Sequence, residues 1–186
     1  MNMKKLGVAL LAGGLLAAGV AVGGADEGEN GRPARSKGAP DVAPATNPLY
    51  QVECGTCHFA YPPCLLPARS WDRLMGNLSD HFCESAELAP ETLKTLTDYL
   101  VANAGDRVRT RRSLKLTRSI PPGEAPLRIT EVPYFVQKHE EVPARLIRDN
   151  PKVGSLSNCA ACHTRADTGS FSEREIDIPE YGPWKD

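Results

Sequence analysis

Two five-residue stretches carry chemistry in this chain, Cys54-Gly55-Thr56-Cys57-His58 and Cys159-Ala160-Ala161-Cys162-His163. In C-x-x-C-H the two thiols lie three apart on one helical turn. Each can form a thioether with a haem vinyl group while the following imidazole reaches the iron. Because the pattern occurs twice, the sequence predicts two covalently bound haem c groups. Zinc would require a second pair of ligands around the same metal, and a dithiol redox site has no use for the histidine.

The cysteine ligands to the two porphyrins are thus Cys54 and Cys57, then Cys159 and Cys162, with His58 and His163 as proximal iron ligands. The chain contains four histidines. A six-coordinate iron needs a second donor, and His81 and His139 remain. Local pairing puts His58 with His81 on haem 1 and His139 with His163 on haem 2; a crossed arrangement is physically open. Met75 is the one methionine outside the N-terminal leader. It sits among apolar neighbours, aimed away from His81 on a shared helix, and reads as core.

These ligands have to be positioned by helices and loops. Lys4, Lys5 and the uncharged run Leu6 to Val22 read as a signal peptide over residues 1–25, with a retained membrane anchor as the alternative. Residues 26–47, rich in Gly, Pro and Ala, read as a disordered linker. A first haem domain is expected over 48–105, with helices at 49–58, 68–82 and 90–104. Trp71, Leu74, Met75, Leu78 and Phe82 make an apolar stripe on the second helix, with His81 at its edge. Pro90 opens the third helix and Gly105 ends it.

The basic run from Arg107 to Arg118 reads as a solvated connector, with a docking face for an acidic partner or counterions for the haem propionates as alternatives. Residues 106–186 form an irregular second haem domain, broken up by prolines, with short helices at 133–141 and 143–148. Ser157 or Asn158 caps the second motif. Phe171, Ile176, Ile178, Tyr181 and Trp184 are expected to cover a haem face. The fold class is therefore mainly α, with a loop-rich C-terminal part around the second haem.

The 186 residues are 41% hydrophobic but only 6% aromatic, a thin supply for a core that two flat apolar haems would supplement. The net charge of -1 gives no footprint for nucleic acid. Cys64 and Cys83 are not used by the motifs. An exported protein meets an oxidising compartment, so the two are expected to form a disulfide.

The run Glu53 to His58, Tyr61-Pro62-Pro63, Leu65 to Trp71 and Asp80-His81-Phe82 resembles the dihaem cytochrome c family often abbreviated DHC. So do Leu156 to His163 and Gly169-Ser170-Phe171. The resemblance implies a periplasmic electron carrier with two low-spin, bis-histidine haems. It further implies a class I cytochrome c-like N-terminal domain and a less regular C-terminal one. Its implied partners are a monohaem cytochrome c of the SHP type and a membrane b-type cytochrome.

Two strong-field imidazoles on each iron leave no position open for substrate, and histidine in place of methionine lowers the reduction potential. Two low-potential carriers of single electrons are therefore expected. The alternative is a small dihaem peroxidase or reductase with one displaceable distal histidine, for which Glu140 and Glu141 beside His139 are the candidate acid and base groups. A haem-based sensor has no output domain to act through.

Overall fold

The structure is a computed structural model that describes residues 40–184. The signal peptide expected at 1–25 and the linker as far as residue 39 lie outside the described residues. The described part is mainly helical and belongs to one compact unit.

Helix α1, Pro48–Gly55, is started by Asn47, whose side chain accepts from the Tyr50 amide at 3.0 Å, with Pro48 in the first turn. It presents the first motif at its end. Pro62 and Pro63 then force the chain into a buried turn over Pro63–Leu65. Helix α2, Ala68–Met75, packs on this turn, where the Trp71 indole N–H donates to the Pro63 carbonyl at 2.7 Å. Helix α3, Pro90–Ala102, lies against α2 through Leu96 and Leu100, both fully buried.

The helix expected over 68–82 is shorter than its apolar stripe implies. It stops at Gly76, and Leu78–Asp80 forms a separate 3₁₀ turn. Glycine and then Asn77 interrupt the backbone, yet Leu78 is still buried on the same side. The stripe thus continues across a break in the helix as far as Leu78, whereas Phe82, its expected last member, is exposed.

Gly105 does not simply end α3, which stops at Ala102. It begins the short helix α4, Gly105–Val108, and its amide donates to the Leu66 carbonyl at 2.8 Å. A Cβ here would collide with the Cys64 carbonyl oxygen and the Thr117 methyl. The chain therefore crosses the 63–66 turn at a point only glycine fits. The expected boundary at 105 consequently separates no cores: one buried cluster runs from Val42 through Leu66 and Leu100 to Leu116, Val132 and Phe135.

The basic run is a helix rather than a solvated connector. Helix α5, Arg111–Ser119, is capped by Thr110 and buries Ser113 and Leu116, while Arg111, Lys115 and Arg118 point to water. Order also begins earlier than Pro48. Residues 41 and 42 are buried, because both amides donate to the Gly169 carbonyl, at 2.8 and 3.1 Å. What reads as linker over 40–47 is a strap packed on the C-terminal loops.

Helices α6, Pro133–His139, and α7, Ala144–Ile147, follow the proline breaks. Helix α8, Cys159–Cys162, is one turn long and begins after Asn158, whose side chain bonds the Val153 carbonyl at 3.2 Å instead of capping. A two-residue antiparallel hairpin, β1 at Asp177–Ile178 and β2 at Gly182–Pro183, closes the described chain. No described helix is long and apolar enough to cross a membrane.

Candidate haem centres

Each C-x-x-C-H stretch opens onto an apolar cavity. The first, about 590 Å³, holds Cys54, Cys57 and His58 on one side and His81 on the other, with Trp71, Met75 and Leu100 in its wall. The second, about 220 Å³, holds Cys159, Cys162 and His163 opposite His139, with Phe171, Ile176, Ile178 and Trp184 closing over it. Tyr181, expected among these covering residues, is exposed instead. Met75 is buried in the first wall as core.

His81 reaches the first cavity from a tight turn. Its amide donates to the Glu84 carbonyl at 2.7 Å and the Glu84 amide returns the bond at 3.3 Å. Between them Phe82 and Cys83 have φ of 58° and 78°, the φ signature of a type I′ turn built here without glycine. The Asp80 carboxylate accepts from the Cys83 amide, and the Arg128 guanidinium sits 3.9 Å from the Phe82 ring centroid. These two contacts hold a backbone that would otherwise prefer another conformation.

The imidazoles meet in the local pairs. His58 and His81 have ring centroids 6.1 Å apart, and His139 and His163 have theirs 6.2 Å apart. Two metal–nitrogen bonds of about 2.0 Å plus two ring radii of about 1.1 Å give about 6.2 Å. Both pairs are thus spaced for one iron between them. The ring planes differ: 19° apart in the first pair and 71° in the second.

In each cavity one imidazole is anchored through its far nitrogen. His58 Nδ1 lies 2.8 Å from the Phe59 carbonyl, and His139 Nδ1 2.8 Å from the Phe135 carbonyl one turn earlier in α6. With the proton on Nδ1, Nε2 keeps its lone pair for iron. His163 Nδ1 is buried with no hydrogen-bond partner among the described residues. Burial pushes the His163 imidazole down to about 4, helped by His139 and Arg112, and also lowers His139 and His81. All three are therefore neutral at ordinary pH, which is the ligating state. Burial likewise pushes the Cys54 and Cys159 thiols up to about 11.

The second cavity is smaller than the roughly 300–1,000 Å³ usual for ligand pockets. Residues 141 to 184 make up much of its wall. The donor set and ring spacing fit a bis-imidazole iron at both centres.

The two cavities share a wall. Ile129, Phe135 and Cys159 line both. The Phe135 ring stacks on His139 with centroids 3.9 Å apart. From the other side Tyr61 stacks on His58 and donates from its hydroxyl to the Ser157 carbonyl at 2.7 Å, two residues before Cys159.

The expected Cys64–Cys83 disulfide is absent; both are free thiols. Cys64 is buried with Sγ directed at the Ala43 carbonyl 3.7 Å away, whereas Cys83 stands exposed on the His81 turn. The early end of α2 carries Cys83 out to the surface. Glu140 is exposed outside the second cavity, and Glu141 is exposed at its rim.

Sequence reasoning missed Phe135, Arg128 and Asp41, and it named Arg112 only as one of a basic run, without its partner. Phe135 could have been found, since it precedes His139 by four residues on one helix face. Asp41 had no signal, because its contacts are with residues 112 and 171.

The chain matches the dihaem cytochrome c family (DHC) over residues 50–171. Among solved structures it is similar to a dihaem cytochrome c from Shewanella baltica, with 40% identity and a TM-score of 0.63, covering 75% of this chain and 98% of that one. A dihaem cytochrome c from Rhodobacter sphaeroides gives 46% identity and a TM-score of 0.63, over 70% of this chain and 100% of that one. A DHC purified from Rhodobacter sphaeroides gives 43% identity and a TM-score of 0.56, over 69% and 99%. No curated protein sequence matches significantly.

Proposed function

Since this chain belongs to the dihaem cytochrome c family and carries two covalently attached haem c groups, we propose that it is a periplasmic electron carrier with two low-potential, bis-histidine irons. His58 and His81 hold haem 1, and His139 and His163 hold haem 2. The observation that carries the reading is the spacing of the two imidazole pairs, 6.1 and 6.2 Å between centroids. Cys54 and Cys57, and Cys159 and Cys162, bear the thioethers. Residues 48–105 supply the class I cytochrome c-like scaffold of haem 1, and 106–184 the less regular surround of haem 2.

Each haem supplies a one-electron Fe(III)/Fe(II) couple. The protein's part is to keep both axial positions filled, so that little moves on reduction and no substrate reaches iron. The anchored imidazoles of His58 and His139 are strong donors, which favours the ferric state and low potential. Tyr61, Phe135 and Cys159 lie in the wall between the centres, in the space an electron crosses. The partners that suit such a carrier are an SHP-type monohaem cytochrome c and a membrane b-type cytochrome.

The test is to reduce the holoprotein with dithionite and add carbon monoxide. An unchanged Soret band is expected, because neither iron has a free position. A rapid, stoichiometric change at one haem would sink the carrier reading and bring forward a peroxidase or reductase with a displaceable histidine.

A further inference from the structure

One charged pair reaches the second haem centre from outside its own motif. Arg112 lines the cavity that holds His139 and His163, and its side chain is 28% exposed. Its Nη2 donates to Asp41 Oδ1 at 3.3 Å, and the Asp41 side chain is only 2% exposed. The other carboxylate oxygen, Oδ2, accepts from the Phe171 amide at 2.7 Å. The Phe171 ring in turn packs against His163, centroids 5.2 Å apart.

The strap that delivers Asp41 is fixed by backbone alone. The amides of Asp41 and Val42 converge on the Gly169 carbonyl. Gly169 has φ +78°, and a Cβ there would collide with the Val42 carbonyl oxygen. The carboxylate is thus held in place, and so is the guanidinium it orients.

We propose that Asp41 and Arg112 set the reduction potential of haem 2, Arg112 raising it and Asp41 limiting the rise. The inference rests on the ligand assignment proposed above. A bis-imidazole ferric porphyrin core carries one positive charge more than the ferrous core, and reduction adds one electron and no proton. A cation on the cavity wall therefore favours the ferrous state, and an anion behind it favours the ferric state. Arg112 is the end of the pair that faces the cavity. Both charges act through low-dielectric surroundings and are weakly screened.

The other charged groups on that wall, Lys138, Glu141 and Glu173, are exposed to water, and Lys138 pairs with Glu173 at 3.2 Å. Their effect is correspondingly small. In the first cavity Arg128, Glu53 and Glu84 are likewise exposed. The pair, half-buried at Arg112 and buried at Asp41, thus distinguishes the two centres electrostatically, and it favours placing an electron on haem 2.

The test is a spectroelectrochemical titration of the holoprotein and three variants. Arg112→Gln should lower one of the two potentials by about tenfold in the ferrous-to-ferric ratio, or 59 mV for a one-electron couple. Asp41→Asn should raise the same wave, and Arg112→Lys should leave it near that of the parent. The second wave should stay put in all three. Loss of packing alone would move both Gln and Asn variants in one direction, so shifts of the same sign, or of both waves together, overturn the proposal. Should Arg112→Gln fail to load haem, the signs for Asp41→Asn and Arg112→Lys decide it. The spectrum of the unaltered protein reports separately on ligation: a high-spin haem there contradicts the axial ligands and not the pair.

Discussion

The two haem centres solve one coordination problem with different kinds of structure. The first is bounded mainly by α1, α2, α3 and the His81 turn, with residues 127–130 and Phe135 closing the side it shares with the second, and both of its proposed iron ligands come from within residues 54–81. The second is assembled from pieces far apart in sequence: α6, a one-turn helix, the C-terminal hairpin, and a strap from residues 41–42 that bonds to residue 169. Regular helices rigidly pre-form a roomy cavity. Short helices and loops leave a smaller one whose wall depends on long-range contacts. A cofactor therefore has more structural work to do at the second centre than at the first.

The largest effect expected is from deleting one distal ligand at a time. His81→Ala should make haem 1 alone bind carbon monoxide after reduction, and His139→Ala should do the same for haem 2. In each case that iron becomes high-spin and its potential rises, while the other is unchanged. The readout is one equivalent of carbon monoxide per protein. If His81→Ala opened haem 2 and His139→Ala opened haem 1, the ligands would be paired across the centres, and the comparison would fail at its base.

Next is the dependence of the fold on each haem. With Cys159 and Cys162 both changed to Ser, haem 2 attachment is lost and the 141–184 loops lose the body they close over. Limited proteolysis should then cut within 141–184 many times faster, while Pro48–Ala102 stays resistant. The corresponding change at Cys54 and Cys57 should leave α2 and α3 packed through Trp71, Leu96 and Leu100. Equal sensitivity of both halves would mean that the second centre is as rigid as the first.

The ring planes offer a finer discrimination. When two axial imidazoles are nearly parallel, their π orbitals act on one of the paired iron d orbitals more than on the other and split them. When they are crossed, the two orbitals stay nearly degenerate. With 19° at the first centre and 71° at the second, the ferric protein should give two low-spin electron paramagnetic resonance signals. One should be rhombic, and one should have a single large g value. His81→Ala should remove the rhombic signal, and His139→Ala the other.

The same contrast governs how much was legible in the sequence. The motifs, the four histidines and the Pro90 helix are local patterns, and the structure brings the four histidines together in two local pairs. The sequence overstates the second helix because apolar periodicity continues through Leu78 after the helix has ended at Gly76. Periodicity records which side faces the core and not whether the backbone is unbroken. The basic run looks solvated because five of its six cations are; Arg112, turned inward, differs by its rotation on the helix. Nothing local to Asp41 or Gly169 shows that they meet. A Pro- and Ala-rich strap can order once its amides find a distant carbonyl, and composition does not record that carbonyl.

The smallest effect concerns the turn that delivers His81. Cys83 stands there with φ 78°, exposed and unbonded to Cys64. A side chain in the left-handed region costs about 1–2 kcal/mol, which glycine avoids, although glycine also loses more backbone freedom on folding. Cys83→Gly should therefore leave the protein as stable or more stable by about 1 kcal/mol in denaturant unfolding, with both haem spectra unchanged. A disulfide to Cys64 would give the opposite result, a loss of about 2–4 kcal/mol. The sign of this one difference distinguishes a strained turn held by Asp80 and the Arg128–Phe82 contact from a turn held by a covalent bond. It also shows whether the first centre, like the second, needs a long-range tie to position its distal ligand.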